Sequence, residues 1–457
     1  MRAPFRSSVA VAFLSLACAA TAAAQIGVSF NRTGSGARAA GMANAFIAVS
    51  DDGTAASWNP SGLAQLRKPE LSFVGTTTGD SATMAGFRTR DDLASFSTAE
   101  STFRATGIDF ASLAVPATLF GKPVTFQGAW RRLYSLDYRE VASLVRVPTA
   151  PGGAPPSRFD VNGDVLGSVD IVSAAAAVRL TSRLALGASY NFWSGGWDET
   201  RVLNETPLGA PSVTRFESFT QSSNLNGDSF ALGMMLTYPR WSVGVVYQNP
   251  LLSDFHSTLD AVSSEVPGGE SRRIDGTLRF PRAWGIGGAW RPAARWTVAL
   301  DFAWDDWTDA IIDSPQTGRI SLLDGQPIEF SSARDTWSVN AGAERLFTGD
   351  GFVVPLRFGV AFEPQGARDP FTRDPVEFVM FALGTGYNTN SLKFDAAFQY
   401  RWASFTTGAD FGSADINPLD PPEVGERRNS QWRLKLSLIL RLTDTDKLKR
   451  TLHKVFG

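Results

Sequence analysis

Cysteine is all but absent from this chain of 457 residues; the one copy, Cys18, lies in an apolar N-terminal leader. Beyond that leader there is no disulfide framework and no thiolate to hold a metal. Histidine is scarce too. His256 and His453 are the only two, far apart, and no Ser/His/Asp arrangement or metal cluster stands out, so neither an enzyme nor a cofactor is expected. Charged residues make up 19% of the chain, below the roughly 25% of a soluble domain. The net charge of −2 presents no basic field, which argues against nucleic acid as a partner. No run of 18 apolar residues occurs after the leader, so a transmembrane helix is excluded.

The leader itself is informative. Arg2 and Arg6 form a positive region, Val9 to Ala20 an apolar one, and Ala22-Ala23-Ala24 a small-residue cleavage site. Residues 1–24 therefore read as a secretory signal, with the mature chain starting at Gln25. Ser15 stands where lipoprotein processing at Cys18 wants a branched apolar residue. An exported chain without a helical span can still enter a membrane as a closed barrel, because closure satisfies every backbone hydrogen bond.

What is present is alternation. In Trp296-Thr297-Val298-Ala299-Leu300-Asp301-Phe302-Ala303-Trp304 every even position is bulky and apolar, every odd one small or polar. Successive strand residues face opposite ways, so this strand has one greasy face and one wet face. The pattern returns in Leu392, Phe394, Phe398, Tyr400 and Trp402, and in Trp432, Leu434, Leu436, Leu438 and Leu440. A half-buried strand of a soluble sandwich also alternates, but it usually runs only about 5–6 residues. Longer strands ending in aromatics, with charge on the second face, suit a transmembrane β-barrel.

Alternating segments recur over 69–79, 107–119, 123–140, 165–180, 184–199, 227–238, 241–261, 273–291, 295–309, 334–346, 352–363, 376–387, 391–403 and 430–442. They predict an all-β, antiparallel barrel of about 14 strands over residues 69–442. Their connections alternate between short turns and long polar loops, the mark of short periplasmic turns opposite long outer loops. About 14 strands leave a lumen too wide for wall side chains alone to fill. Residues 25–68 do not alternate and are rich in Ala and Gly, with expected helical stretches around 37–48 and 53–58. They read as an N-terminal helical plug, or hatch. Residues 443–457 are left as a basic periplasmic tail.

The hatch carries Gly36-Ala37-Arg38-Ala39-Ala40-Gly41-Met42-Ala43-Asn44-Ala45-Phe46, then Asp51-Asp52, then Trp58-Asn59-Pro60-Ser61-Gly62-Leu63. This segment resembles the FadL/TodX family of outer-membrane transporters for hydrophobic compounds, in which an N-terminal hatch plugs a 14-stranded barrel. The resemblance implies a location in the cell outer membrane of Gram-negative type. It also implies hatch-gated, passive passage of long-chain fatty acids or hydrocarbons, with outer-membrane lipids and lipopolysaccharide as surroundings. Two departures stand out: Ser61 replaces the family's usual Ala, and the chain does not end on an aromatic strand residue.

The site residues carry two readings each. Asn59-Pro60 makes a rigid turn, either part of the hatch mechanism or a plain helix stop. Asp51 and Asp52 either pair with a wall arginine or cap a helix. Arg131-Arg132 in the third strand is a candidate lateral gate. With Val124, Phe126 and Trp130 on one face, strict alternation aims Arg132 into lipid, at a cost of about 2–4 kcal/mol near the midplane. A bulge there would re-aim the side chain, and the family's third strand is kinked to open a lateral gap. Otherwise the register is offset or Arg132 snorkels. Among the lumenal charges (Lys393, Asp395, Arg401, Arg433, Lys435, Asp301, Asp305), Arg401, Lys393 and Arg433 are candidates to receive a ligand carboxylate. They could instead pair among themselves or with the hatch. Two rival functions remain: a PorV-like docking barrel in protein secretion, and an open porin, which residues 25–68 disfavour.

Overall fold

The computed structural model describes residues 34–88, 93–151, 155–212, 214–264, 268–369, 372–409 and 423–442. The expected signal, the start at Gln25, the first part of the hatch and the expected tail lie outside the described residues.

Fourteen antiparallel strands close into a ring. They are β1 (Glu70–Arg88), β2 (Ala99–Leu119), β3 (Lys122–Ser135, continued as Tyr138–Pro148), β4 (Ser157–Arg179), β5 (Leu184–Pro207), β6 (Arg215–Thr237) and β7 (Trp241–Gln248, continued as Leu251–Ser263). The ring goes on through β8 (Glu270–Phe280, continued as Ala283–Trp290), β9 (Trp296–Asp305), β10 (Thr336–Thr348), β11 (Val353–Arg368), β12 (Pro375–Asn388), β13 (Leu392–Ala409) and β14 (Glu423–Arg441). Closure comes from β14 pairing with β1, Glu70 opposite Arg441.

The alternation resolves as a barrel requires. On β9, Trp296, Val298, Leu300 and Phe302 are exposed on the outer wall, while Ala299 and Asp301 are buried toward the lumen. The same holds for Phe394, Phe398, Tyr400 and Trp402 on β13 and for Leu434, Leu436 and Leu438 on β14. A soluble sandwich would bury these faces; here they form a continuous apolar exterior, as a bilayer demands.

Several strands run further than their alternation predicts. The expected loop at 200–226 shrinks, because β5 and β6 stay paired as far as Glu205 opposite Arg215. Above the bilayer the outer face no longer needs to be apolar, so the pattern ends while the ladder continues. Three strands are broken. The interruptions at Asn249-Pro250 and Pro281-Arg282 fall at prolines, which have no N–H to give the ladder. The third, at Leu136-Asp137, has no proline. Beyond β9, a small hairpin (Ile311–Ser314 with Gly318–Ser321) folds onto β8, pairing Leu278 with Ile312.

The hatch holds less helix than expected. One α-helical turn, Ala37–Gly41, and two 3-10 turns, Ala55–Ser57 and Pro60–Gln65, replace the stretches predicted at 37–48 and 53–58. Ala43 and Asn44 adopt φ of 51° and 68°, a left-handed turn that ends the helix and swings the chain along the wall.

The two ends of the barrel give a labelling test. A cysteine at Gly209, exposed in the β5–β6 loop, should react with an impermeant reagent on intact cells. One at Ala293, in the short β8–β9 turn, should react only after permeabilisation. The reverse pattern would overturn this orientation.

Candidate functional site: a seated hatch, a filled upper lumen and a break in the wall

Because the hatch is mostly irregular, its buried backbone groups lack helix or sheet partners, and the wall supplies them. Asp301 accepts from the N–H groups of Phe46 (2.6 Å) and Ile47 (2.7 Å). Asn340 donates to the Ala43 carbonyl (2.7 Å), Gln399 to that of Ala40 (3.1 Å) and Ser242 to that of Ala48 (2.7 Å). Ser112 and Gln127 both donate to the Gly53 carbonyl, at 2.8 and 2.6 Å, and Glu70 accepts from the Gly53 N–H at 2.8 Å. Seven inward residues of the strands thus act as caps for one loop-like segment.

Asn59 works from the hatch side. Its carboxamide oxygen accepts from the Ser61 N–H and hydroxyl, while its NH₂ donates to Ile47 O (3.3 Å) and to Met234 O of β6 (3.2 Å). Pro60 occupies the first position of the following 3-10 turn, where its missing N–H costs nothing. Ser61, the small-for-small departure, uses its hydroxyl in this turn. The hatch also needs a bare wall: a Cβ on Gly233 would lie 2.1 Å from Asn59 Oδ1, and one on Gly342 2.5 Å from Met42 O.

Asp51 and Asp52 turn to a hatch arginine that carried no assigned role in the sequence. Arg38 bonds Asp51, lies 3.9 Å from Asp52, and spans to β10 through two bonds to Glu344 (3.0 and 3.1 Å). Glu344 is shared with Arg357 (2.7 Å), which reaches Asp395 at 2.8 Å. Asp52 also accepts from the Thr54 N–H and hydroxyl, so it caps as well as pairs. The chain Asp51–Arg38–Glu344–Arg357–Asp395 joins hatch to wall. Its one sequence signal was inward charge at strand positions flanked by outward apolar residues, which names no partners.

The third strand is interrupted where the arginines sit. Up to Arg131, opposite Phe110, β3 pairs with β2. Above that point β2 pairs only with β1, from Ala99 to Ile108, while β3 keeps its ladder to β4 with a register shift between Arg132 and Tyr134. The wall between β2 and β3 is open there until Ser101 Oγ accepts from the Val141 N–H (3.1 Å). Arg131 points inward and donates to the Ser57 carbonyl (3.3 Å). Arg132 stands across the ladder from Asp170, 3.5 Å away, and its guanidinium reaches the bare Cα of Gly107 at the edge of β2.

The three candidate lumenal cations are not gathered at one point. Lys393 is buried low on β13, facing Asp52 and Glu70. Arg401, eight residues up the strand, lies over the Phe378 ring (4.3 Å) with Glu363 3.7 Å away. Arg433 on β14 is half-buried and borders a cavity of about 120 Å³ inside the wall break. A second cavity, of about 110 Å³, sits above the hatch between Trp58, Phe110, Trp284 and Glu363. Among the described residues no group of His, Cys, Asp and Glu could hold a metal ion.

Above these cavities the lumen is filled by apolar side chains. One buried cluster runs from Leu322 and Leu323 in the β9–β10 loop through Trp307, Phe280, Phe255 and Trp193 to Tyr134 and Leu136 at the wall break. Glu199 is buried beside it on the extracellular part of β5. Burial pushes its carboxyl up to about 7, with Arg201 opposing only in part.

Two tests follow. Arg38→Gln leaves buried carboxylates without their counter-charge, which costs about 3–5 kcal/mol; the variant should show a protease-sensitive hatch in a folded barrel, and unchanged resistance would refute the anchoring role. For Glu199, a carboxyl raised in the folded state destabilises the fold as pH rises from its unfolded value, near 4, through 7. Glu199→Gln should therefore leave thermal unfolding in detergent unchanged at pH 4 and stabilise the barrel at pH 8, by at most roughly 3 kcal/mol.

No family model and no curated protein matches the chain. Solved structures do. A Pseudomonas aeruginosa FadL homologue aligns with a TM-score of 0.62 at 14% identity, covering 91% of this chain and 99% of that one. The toluene transporter TodX of Pseudomonas putida gives 0.52 at 14%, over 92% and 97%. The toluene transporter TbuX of Ralstonia pickettii gives 0.51 at 14%, over 90% and 100%. Two of these three structures are toluene transporters by name. With its apolar exterior, 14-strand closure and seated N-terminal hatch, the chain has the fold of the FadL/TodX outer-membrane barrels.

Proposed function

We propose that this barrel carries small hydrophobic molecules, long-chain fatty acids or hydrocarbons, across an outer membrane of Gram-negative type, down their gradient and without bond chemistry. The observation that carries this reading is the unbroken apolar cluster from the outer loop at Leu322 and Leu323 to the wall break at Tyr134 and Leu136. Lipopolysaccharide and water-filled pores exclude greasy solutes, so such solutes need a dry path. The cluster offers one at the outer end, and its side chains must move aside for a passing molecule.

The exit follows from where the path ends. The hatch below is tied to the wall by buried charges and backbone bonds, so the lower-cost way out is sideways through the open stretch between β2 and β3. Arg131 and Arg132 flank that stretch, one turned to the hatch and the other toward the gap. A shift of the Ser57 turn, which Arg131 holds, would widen the opening from below. The hatch thus gates without leaving the barrel. A docking barrel for exported proteins requires no such apolar connection from loop to wall.

Deleting Leu133, the residue at the register shift, should straighten β3 and let it pair with β2. The variant should keep heat-resistant folding and outer-vestibule binding of a hydrophobic probe. Its uptake of a long-chain probe should fall by about tenfold, equivalent to roughly 1.4 kcal/mol in the barrier. Normal uptake in the straightened barrel would mean that cargo leaves along the axis instead.

A further inference from the structure

The cavity at the wall break is lined mostly by polar groups, with one apolar stretch. Asp80, Asp109, Arg433 and Lys435 line it from β1, β2 and β14; β3 adds Arg132 and, beside it, the apolar stretch of Leu133 and Tyr134, and Asp137 follows in the break of that strand. Tyr134 belongs to the apolar cluster of the upper lumen, and Leu133 packs against it. A greasy path therefore arrives at a charged chamber just where the wall opens.

Charge accounting singles out one residue. Lys435 is 3.3 Å from Asp109, which also accepts from the Thr76 hydroxyl. Arg132 is matched by Asp170. Asp137 accepts from the Gly167 N–H at 3.0 Å, and Asp80 from the Gln431 carboxamide. Arg433 has neither an ion pair nor a hydrogen bond among the described residues. Asp80 and Arg401, one of each sign, are among the charges within its electrostatic reach. A half-buried guanidinium with five unused donors is costly to leave dry and suited to a planar anion. The cavity has room for a headgroup and not merely a water or two.

We infer that this chamber is a binding site for the anionic headgroup of an amphiphile, received by Arg433 while the tail lies along Leu133 and Tyr134. The inference rests on the transport reading above and narrows it: a neutral hydrocarbon passing the break gains nothing from Arg433, whereas a carboxylate or phosphate does. The anion has two possible sources. It can be the carboxylate of an acid arriving through the lumen, or the phosphate of an outer-leaflet lipid reaching in through the opening.

The test uses the full-length protein in neutral detergent, with oleate and its uncharged counterpart oleyl alcohol as calorimetric ligands. The wild type should prefer oleate by about tenfold, the range of one charge-assisted hydrogen-bonded contact. Arg433→Gln should remove that preference without weakening oleyl alcohol, and Arg433→Lys should keep most of it. Phosphatidylglycerol retained through delipidation, counted by native mass spectrometry, is the second arm. Its loss in Arg433→Gln, with no oleate preference in the wild type, would assign the same site to a membrane lipid. If Arg433→Gln changes neither readout, the site is refuted. Binding of oleyl alcohol with no charge preference and no lipid loss sinks this inference alone. Failure of both ligands to bind the wild type sinks the transport reading with it.

Discussion

The constraint on which the rest depends is that an irregular peptide buried in a barrel must have its backbone polar groups satisfied by the wall. An unpaired buried amide or carbonyl costs of order 1–3 kcal/mol, and the hatch buries many. Inward residues from seven of the fourteen strands answer this need: Glu70, Ser112, Gln127, Ser242, Asp301, Asn340 and Gln399 each reach a hatch N–H or C=O. Bare glycines such as Gly233 and Gly342 let the two backbones approach. The polar inner faces are thus the counterpart of one particular segment and not a generic water-filled lining.

That fit also bears on the passage proposed above. A plug held by backbone bonds around its circumference and by the Arg38–Glu344–Arg357 chain is expensive to expel. The upper lumen is packed with apolar side chains, which is the feature that the proposed passage of greasy molecules rests on. The wall opens where β3 loses β2 as a partner, while the upper part of β8 is covered by the small hairpin in place of β9. On the proposed reading, an amphiphile that enters from above meets the hatch below and an open side, and Arg433, without an ion pair among the described residues, stands beside the opening.

Charge is handled differently on the two sides of the wall. Outward arginines above the bilayer are matched on their own face, Arg139 by Asp164 across the ladder and Arg428 by Glu426 two residues along the same strand. Of the inward ones, Arg131 and Arg179 donate to hatch carbonyls, while Arg357, Arg401 and Arg427 face carboxylates of the wall. Arg433 departs from both habits among the described residues, and it stands out as a candidate ligand contact only once the other pairs are assigned.

The period-2 alternation of bulky and small residues determined, by itself, the barrel class, the strand count and which faces meet lipid, because facing is a local property of an extended chain. The Gly- and Ala-rich start of the chain likewise announced a segment packed against something else. Strand length was legible only across the bilayer, since above it nothing forces the outer face to be apolar. The partners were not legible at all. Arg38 and Glu344 are 306 residues apart, and the break beside Arg132 exists only because β2 and β3 part company in three dimensions. Ion pairs and ladder gaps depend on distance through space, and that quantity only the closed barrel decides.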